Sequence, residues 1–286
     1  VLSIEVREWS SEAIELYLNG FPLPLLSAIR RYSIAKVPTY AIDEVTIVVN
    51  TSAMFDEMLA HRLAMIPLRS EESIDKLLSV DVALCEKCSL ESEEKPPKDV
   101  CDKCFVNMFL EAEAHEEEVT VYSSEIKSED PYVKPVHSNI PIVILAPGQH
   151  VSLELRARIG RGLEHAKWSP ATVAITRNVA EIKVVKELCN LCGKCVEVCP
   201  RRVLNIDGDV VRVGKALDCI ICKQCVNICP TKAIDVVNLE YKNILRVESS
   251  GALEPETIVR LSLELLRSDL ASLQNFIEKV KRGVRP

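Results

Sequence analysis

The sequence predicts an α+β fold with a cysteine-rich unit set into it, and three features point that way. Apolar and polar residues alternate with the period of half-buried strands on both sides of the cysteines. One cysteine pattern occurs twice between Cys189 and Pro230. The chain then closes on a long heptad pattern that begins at Pro255. At 286 residues, 48% apolar and only 5% aromatic, it has length for two or three compact units with cores of Val, Ile, Leu and Ala.

In chain order, Ile4 and Val6, then Ile14, Leu16 and Leu18, alternate as a strand pair, and Asn19-Gly20 gives a strong turn signal at its close. Pro22 and Pro24 open a helix through about Ala35 with Leu25, Ile29 and Tyr32 on one face, and Val37-Pro38 ends it. Arg30 and Arg31 on this helix suit a solvated pair as well as a contact. Residues 40–50 read as extended, and 54–64 as a short helix. His61 lies on that helix without the companions a metal site or triad needs, so it is assigned to packing or hydrogen bonding. A further strand is expected over 80–84.

Cys85-x2-Cys88 and Cys101-x2-Cys104 come next, twelve residues apart, with Pro96-Pro97 and many charges between. Two such knuckles offer four thiolates to a tetrahedral zinc ion, the reading the spacing favours. The intervening stretch is shorter than the commoner ribbon spacing, and paired disulfides stand as the alternative. Residues 105–122 alternate as one strand with acidic outward positions, followed by a polar surface loop to Asp130 and strands at 140–145 and 151–159. Gly160-Arg161-Gly162 is expected to be a tight surface loop. A phosphate loop is disfavoured, because His165 stands where G-x-G-x-x-G needs glycine and no Walker lysine and serine follow. Alternation resumes at 171–185 and again at 244–247, so the repeated cysteine unit is expected between two strands of a larger domain.

Within the repeat, Cys189, Cys192, Cys195, Cys199 and Pro200 spell C-x2-C-x2-C-x3-C-P, and Cys219, Cys222, Cys225, Cys229 and Pro230 spell it again. Three thiolates at this short step wrap three corners of a [4Fe–4S] cube, while the fourth reaches across to the other cluster. The expected ligand sets are Cys189, Cys192, Cys195 and Cys229 for one cube, and Cys219, Cys222, Cys225 and Cys199 for the second. A [3Fe–4S] core or an empty site at one of them is the variant reading. Zinc fits less well, because it usually takes two C-x2-C knuckles or Cys/His mixtures. Val196 matches Val226, and neither half is long enough to bury a core alone, so a two-cluster, ferredoxin-like pseudo-twofold is expected.

Clustered cysteines in a long, core-forming chain indicate metals in a reducing compartment. With no apolar run of membrane-spanning length and no signal pattern at the first residues, a cytoplasmic location is expected and a membrane partner is not. The formal charge is −7, with acid concentrated at 111–118 and 125–130, which argues against sequence-specific nucleic-acid binding. Between Lys183 and Arg246 there are 11 Lys and Arg against 7 Asp and Glu. Two oxidised clusters with their thiolates, each about −2, roughly cancel that surplus.

From Pro255 a helix of about 28 residues carries Val259, Leu263, Leu266, Leu270, Leu273, Ile277 and Val280 at alternating steps of four and three, an a/d seam. At roughly 1.5 Å per residue it runs about 42 Å, more than a small domain covers, so a helix from a second chain is the economical partner.

With these segments in place, the chain resembles the D-type subunit family of archaeal RNA polymerase, relatives of the bacterial alpha subunit's N-terminal domain. The resemblance covers essentially the whole chain and rests on three groups of residues. The first is Ala28-Ile29-Arg30-Arg31 with Val37-Pro38-Thr39 and Ala41-Ile42-Asp43. The second is Asp56-Glu57 with Leu59-Ala60-His61-Arg62-Leu63 and Ile66-Pro67-Leu68. The third is Gly162 with Glu164-His165-Ala166-Lys167-Trp168-Ser169-Pro170-Ala171.

The resemblance implies a non-catalytic assembly platform. A discontinuous dimerisation domain (1–45, 171–182 and 239–286) would pair with the small subunit L, with Leu25, Ile29, Tyr32 and the seam at the interface. An inserted, mainly β domain would span 46–170, its 160–171 loop resembling the family's contact with a large catalytic subunit, and the iron–sulfur unit would span 183–238. Small subunits N and P would be further partners. The reading from another class is a ferredoxin-type electron-transfer subunit of an oxidoreductase, which the cysteine spacing alone would favour but which no flavin or nicotinamide motif supports.

Overall fold

Strand formation follows the alternation in the computed structural model, which describes residues 2–89 and 95–282. β1 (Ser3–Trp9) and β2 (Ala13–Asn19) are joined by a tight turn in which Ser10 Oγ accepts from the amides of Ala13 and Glu12. Asn19-Gly20 is the exit from β2, with Gly20 at φ +84°. α1 (Leu23–Ala35) leads into β3 (Pro38–Asn50) and α2 (Asp56–Ala64). Three short helices follow: α3 (Ile74–Ser79), α4 (Val82–Lys87) and α5 (Lys98–Cys104). Next are β4 (Phe105–Glu113), β5 (Val119–Tyr122), β6 (Lys127–Ser128), β7 (Pro141–Leu145), β8 (His150–Arg161) and β9 (Ala171–Val184). The cysteine repeat contributes α6 (Lys194–Glu197), β10 (Leu204–Asp207), β11 (Val210–Val213) and α7 (Gln224–Ile228). β12 (Ile234–Ser249) and α8 (Pro255–Lys281) complete the chain.

Contacts divide it into two compact units, Val1–Glu8, Glu15–Ser27 and Ile175–Arg246 in the first, and Trp9–Ile14, Ala28–Ala174 and Val247–Pro286 in the second. Most of a four-stranded sheet of order β1-β2-β12-β9 belongs to the first unit. β9 and β12 are neighbours in that sheet and the cysteine repeat lies between them in sequence. Antiparallel β10 and β11 and the helical turns α6 and α7 pack around the cysteines with Val203, Leu204, Val211, Ile234 and Val236.

The second unit is built on a sheet of order β3-β8-β4-β6. β3 and β8 run antiparallel from Pro38↔Arg161 to Asn50↔Val151, with irregularities between Ile42 and Glu44 and between Ile47 and Val49. Its core joins Tyr40, Ile42, Leu59, Leu63, Leu68, Met108, Leu153 and Leu155, all nearly inaccessible. β5 pairs with β7 as a separate ribbon. No helix among the described residues is long and apolar enough to cross a membrane.

Three local expectations are corrected. Residues 80–84 begin helix α4, not a strand: Asp81 caps it, its side chain accepting from the Ala83 amide, and a short apolar run does not separate helix from strand by period alone. Residues 105–122 are two strands in different sheets, broken at the acidic stretch after Ala114. Gly160-Arg161-Gly162 is not the expected tight surface loop. Gly160 and Arg161 end β8, and a Cβ on Gly160 would lie 2.4 Å from the Trp168 ring. A Cβ on Gly162 would lie 2.0 Å from the Ile34 carbonyl oxygen, so close approach, not turn freedom, explains both glycines. The charged stretch between the two knuckles falls partly outside the described residues.

Candidate metal centres and partner surface

The repeated cysteine pattern is repeated in the backbone. Leu191 and Ile221, Gly193 and Lys223, and Arg202 and Lys232 stand thirty residues apart, and all six have positive φ, between 50° and 75°. These left-handed positions turn the chain so that α6 and α7 each start one residue after Gly193 and Lys223. The turn bonds repeat too: the Val196 amide donates to Gly193 as Val226 does to Lys223, and Arg202 donates to Cys199 as Lys232 does to Cys229.

All eight cysteines are unpaired; Cys219 and Cys225 are buried, and Cys192 and Cys222 exposed. Cys199, Cys219, Cys222 and Cys225 line one small cavity together with Ile182, Val203 and Val236. Burial pushes the Cys225 thiol up, and the thiols it feels are those of Cys199, Cys219 and Cys222. Burial likewise raises Cys195, whose neighbouring thiols are Cys189, Cys192 and Cys229. At Cys229 burial acts upward, but bonds from the Thr231 hydroxyl and from the amides of Ala233, Thr231 and Ile234 outweigh it, and the thiol lies below its usual range. In each half the thiol that burial raises thus feels two thiols of its own run and one of the other. Four soft donors around an apolar recess fit a polynuclear iron–sulfur core.

The zinc expectation for Cys85, Cys88, Cys101 and Cys104 is corrected. Cys85 is bonded to Cys104 and Cys88 to Cys101, with Cα–Cα distances of 5.3 and 5.5 Å, within the usual span of a disulfide. The knuckles sit on α4 and α5, which face each other so that each cysteine meets one from the opposite helix. A sulfur held in a disulfide has no thiolate to give a metal.

The seam of α8 is open. Leu263, Leu270, Leu273, Ile277 and Val280 are 44–57% exposed, as is Phe276 at 47%, while Val259 and Leu266 are partly covered. The chain's own core takes a different stripe, Ile258, Leu261 and Ser262. Ser262 Oγ meets Ser33 Oγ of α1 at 3.0 Å, and Tyr32 donates to Asp269 at 2.7 Å. Thr257 and the Glu254 amide donate to Glu71, tying down the helix start. Ile29, grouped by sequence with the partner face, is buried in the chain itself at 5%, whereas Leu25 and Tyr32 are partly exposed.

Residues 160–171 rest on an internal ionic frame. Arg158, 4% exposed, donates to Asp43 at 2.6 Å and to Glu164 at 3.0 Å, and Lys167 donates to Asp43 at 2.7 Å and to the Ile42 carbonyl at 3.1 Å. Both cations lie 4.3 Å from the Trp168 ring, whose Nε1 donates to the Arg158 carbonyl. Burial acts to raise the Asp43 pKa, but the bonds from Lys167 and Arg158 outweigh it and the carboxyl is depressed. This frame presents Leu163 at 69% exposure, with His165 and Ala166 also exposed. Sequence reading missed Arg158, which falls on the polar face of β8 with Ser152, Glu154 and Arg156 and so gave no signal in the strand alternation.

Residues 45–177 match the family model described as the RNA polymerase Rpb3/RpoA insert domain, and residues 188–233 match a 4Fe-4S dicluster domain. DNA-directed RNA polymerase subunit Rpo3 of Archaeoglobus fulgidus is 38% identical over 278 residues, 97% of this chain and 98% of that protein. The Rpo3 subunit of Methanosphaera stadtmanae is 34% identical over 97% of this chain and 99% of its own length. That of Pyrococcus furiosus is 32% identical over 98% of each.

Proposed function

The chain belongs to the Rpo3 family of DNA-directed RNA polymerase subunits, and from that premise we propose that it is the assembly platform of its polymerase. The complex is a nucleotidyltransferase, and this subunit is non-catalytic. In our reading it corresponds to the archaeal D-type subunit and acts in the cytoplasm. It pairs with subunit L through residues 1–45, 171–182 and 239–286, engages small subunits N and P, and anchors the large catalytic subunits. Residues 46–170 form the inserted domain that carries the 160–171 contact loop.

The observation that carries this reading is the unpartnered leucine stripe of α8, over 40% exposed at five successive a/d positions beyond Val259 if the half-covered Leu266 is set aside. An apolar seam of that length outside the chain's own core suits a helix of a second polypeptide.

Residues 183–238 are the cluster-bearing unit. Cys189, Cys192, Cys195 and Cys229 would hold one [4Fe–4S] group, and Cys219, Cys222, Cys225 and Cys199 the other. When bound, each cube would cross-link the two halves and supply a one-electron redox centre. The protein's part is to gather the thiolates, keep them partly dry and order the halves around them, so metal binding would be folding free energy for the unit. Cluster loading would then regulate how much chain is competent to assemble. An electron-transfer subunit is not the favoured reading, because the whole length of the chain aligns with polymerase subunits.

The experiment is anaerobic co-expression with subunit L, followed by reconstitution with the remaining subunits. A stable equimolar pair that is required for recovery of the large subunits is expected. A chain that stays monomeric beside L, or a polymerase that assembles without it, would end this reading.

A further inference from the structure

The turn that delivers the first ligand of the second cluster site is held from outside the cysteine repeat. Ala216–Asp218 form one turn of 3-10 helix directly ahead of Cys219. Its own backbone bonds are few: the Asp218 amide reaches Lys215 at 3.0 Å and the Cys219 amide reaches Ala216 at 3.2 Å. Arg177, on β9, donates from Nη1 to the carbonyl of Leu217 in the middle of that turn. Arg7, on β1, lies 3.7 Å from the Asp218 carboxylate and donates to Glu15 on β2 at 2.6 Å. Arg246 of β12 extends the chain of charges to Glu8 at 2.5 Å and Glu15 at 3.5 Å.

Arg177 also feels charged groups on both segments that lead to this site. Partial burial lowers its pKa, and the charged groups it feels are Glu15, Arg7, Asp218 and Arg201. Asp218 adjoins Cys219, and Arg201 lies two residues beyond Cys199, the sulfur lent by the first half. The matching turn of the first half, Lys186–Leu188, has the same two backbone bonds, from Leu188 to Val185 and from Cys189 to Lys186, so the guanidinium of Arg177 is an addition to a shared turn geometry. A guanidinium fixed to a strand and donating into a turn sets that turn's orientation, and charged bonds of this kind are stronger than neutral ones. The edge strand at the other end is weakly held by packing, since every residue of β1 is exposed, Ile4 at 61% and Val6 at 48%.

We propose that Arg177 is a positioning residue for the second iron–sulfur site, and that through Asp218 and Arg7 it makes order in edge strand β1 depend on whether that site is filled. The proposal rests on the two-cluster reading above. An empty site frees the Cys219 turn, the Arg7–Asp218 pair loses its anchor, and β1 keeps its cross-strand bonds to β2 and the Glu8–Arg246 pair.

The test uses the full chain, purified anaerobically, as wild type, R177Q, R177K, C222A and R212Q. The last disrupts an exposed pair with Asp207 on the β10–β11 hairpin and serves as the control. Iron and sulfide per chain, the spectrum of the reduced protein, and amide hydrogen exchange of Ser3–Trp9 are read in each. Wild type is expected to hold about eight irons, two four-iron cubes. R177Q is expected to fall to about four, with β1 exchange up by about tenfold; R177K is expected between the two, and R212Q like wild type. C222A removes a ligand while leaving Arg177 in place, and the same rise in β1 exchange is expected there. Wild-type iron in R177Q overturns the positioning role of Arg177, and unchanged β1 exchange in C222A overturns the link from the site to β1; neither result touches the two-cluster reading. A wild type that never exceeds about four irons overturns the two-cluster reading, and the proposal with it.

Discussion

Replacing Leu270 and Leu273 together by alanine separates a docking stripe from a core stripe. Full burial of a leucine side chain stabilises by about 1.5–3 kcal/mol relative to leaving it in water. In the free chain these two are already partly covered, at 57% and 55% exposure, so slightly more than half of that gain is left for a partner to supply. After allowing for the Cβ that alanine keeps, the loss on association is about 1 kcal/mol for each, or roughly 30-fold in Kd for the pair. Fold stability should hardly move. Leu261, earlier on the same helix and on its buried stripe at 1% exposure, is the counter-case, where alanine is expected to cost about 2–5 kcal/mol of fold stability. Titration of labelled subunit L, with thermal unfolding of each variant alone, reads both quantities. The reasoning is refuted if the double variant melts early like the Leu261 variant, or if it binds L with undiminished affinity.

Other expectations follow from the second unit. Gly160→Ala drives a Cβ to 2.4 Å from Trp168, so a loss of about 1–3 kcal/mol is expected in denaturant titration, with red-shifted emission as Trp168 is displaced. Asp43 has a depressed pKa, so its share of stability is present above the ordinary value of 3.8 and is lost as pH falls through that value toward the folded one. Asp43→Asn should therefore lower stability at neutral pH and flatten its decline in acid; parallel curves for variant and wild type would contradict this. The Cys85–Cys104 and Cys88–Cys101 bridges close separations of 19 and 13 residues, and a single loop of this size is worth about 3 kcal/mol. Reduction should lower the melting temperature, and mass mapping of unreduced protein should find both cross-links; four freely alkylated thiols at these positions would refute the pairing.

Much of this was legible because it is carried by local pattern. Strand alternation located β3, β8 and β9 and the end of β12, and the heptads located α8 to within a residue. What stayed hidden depends on partners distant in sequence. The glycines of 160–162 look like a loop until Trp168 and Ile34 are seen to press against them. Arg158 and Arg177 read as ordinary strand residues, because their partners lie on other segments. The knuckles of Cys85 to Cys104 allow metal or disulfide by spacing alone, and only the pairing of the sulfurs in the structure distinguishes them. Ile29 shows the same limit, since a helical stripe tells which residues are apolar and not whether a neighbouring segment or another chain covers them.

The left-handed positions of the cysteine unit have a consequence for the order in which it comes apart. The first half sets Leu191 and Gly193 at positive φ; the second sets β-branched Ile221 and Lys223 at nearly the same angles. Glycine tolerates that geometry freely, whereas a side-chain-bearing residue is disfavoured there by about 1–2 kcal/mol, and a β-branched one more so. Leu191 and Arg202 share this cost in the first half, so the later copy carries more backbone strain than the earlier one by the difference at Ile221 and Lys223. If both sites hold iron as proposed, its withdrawal should uncoil the later half before the earlier one.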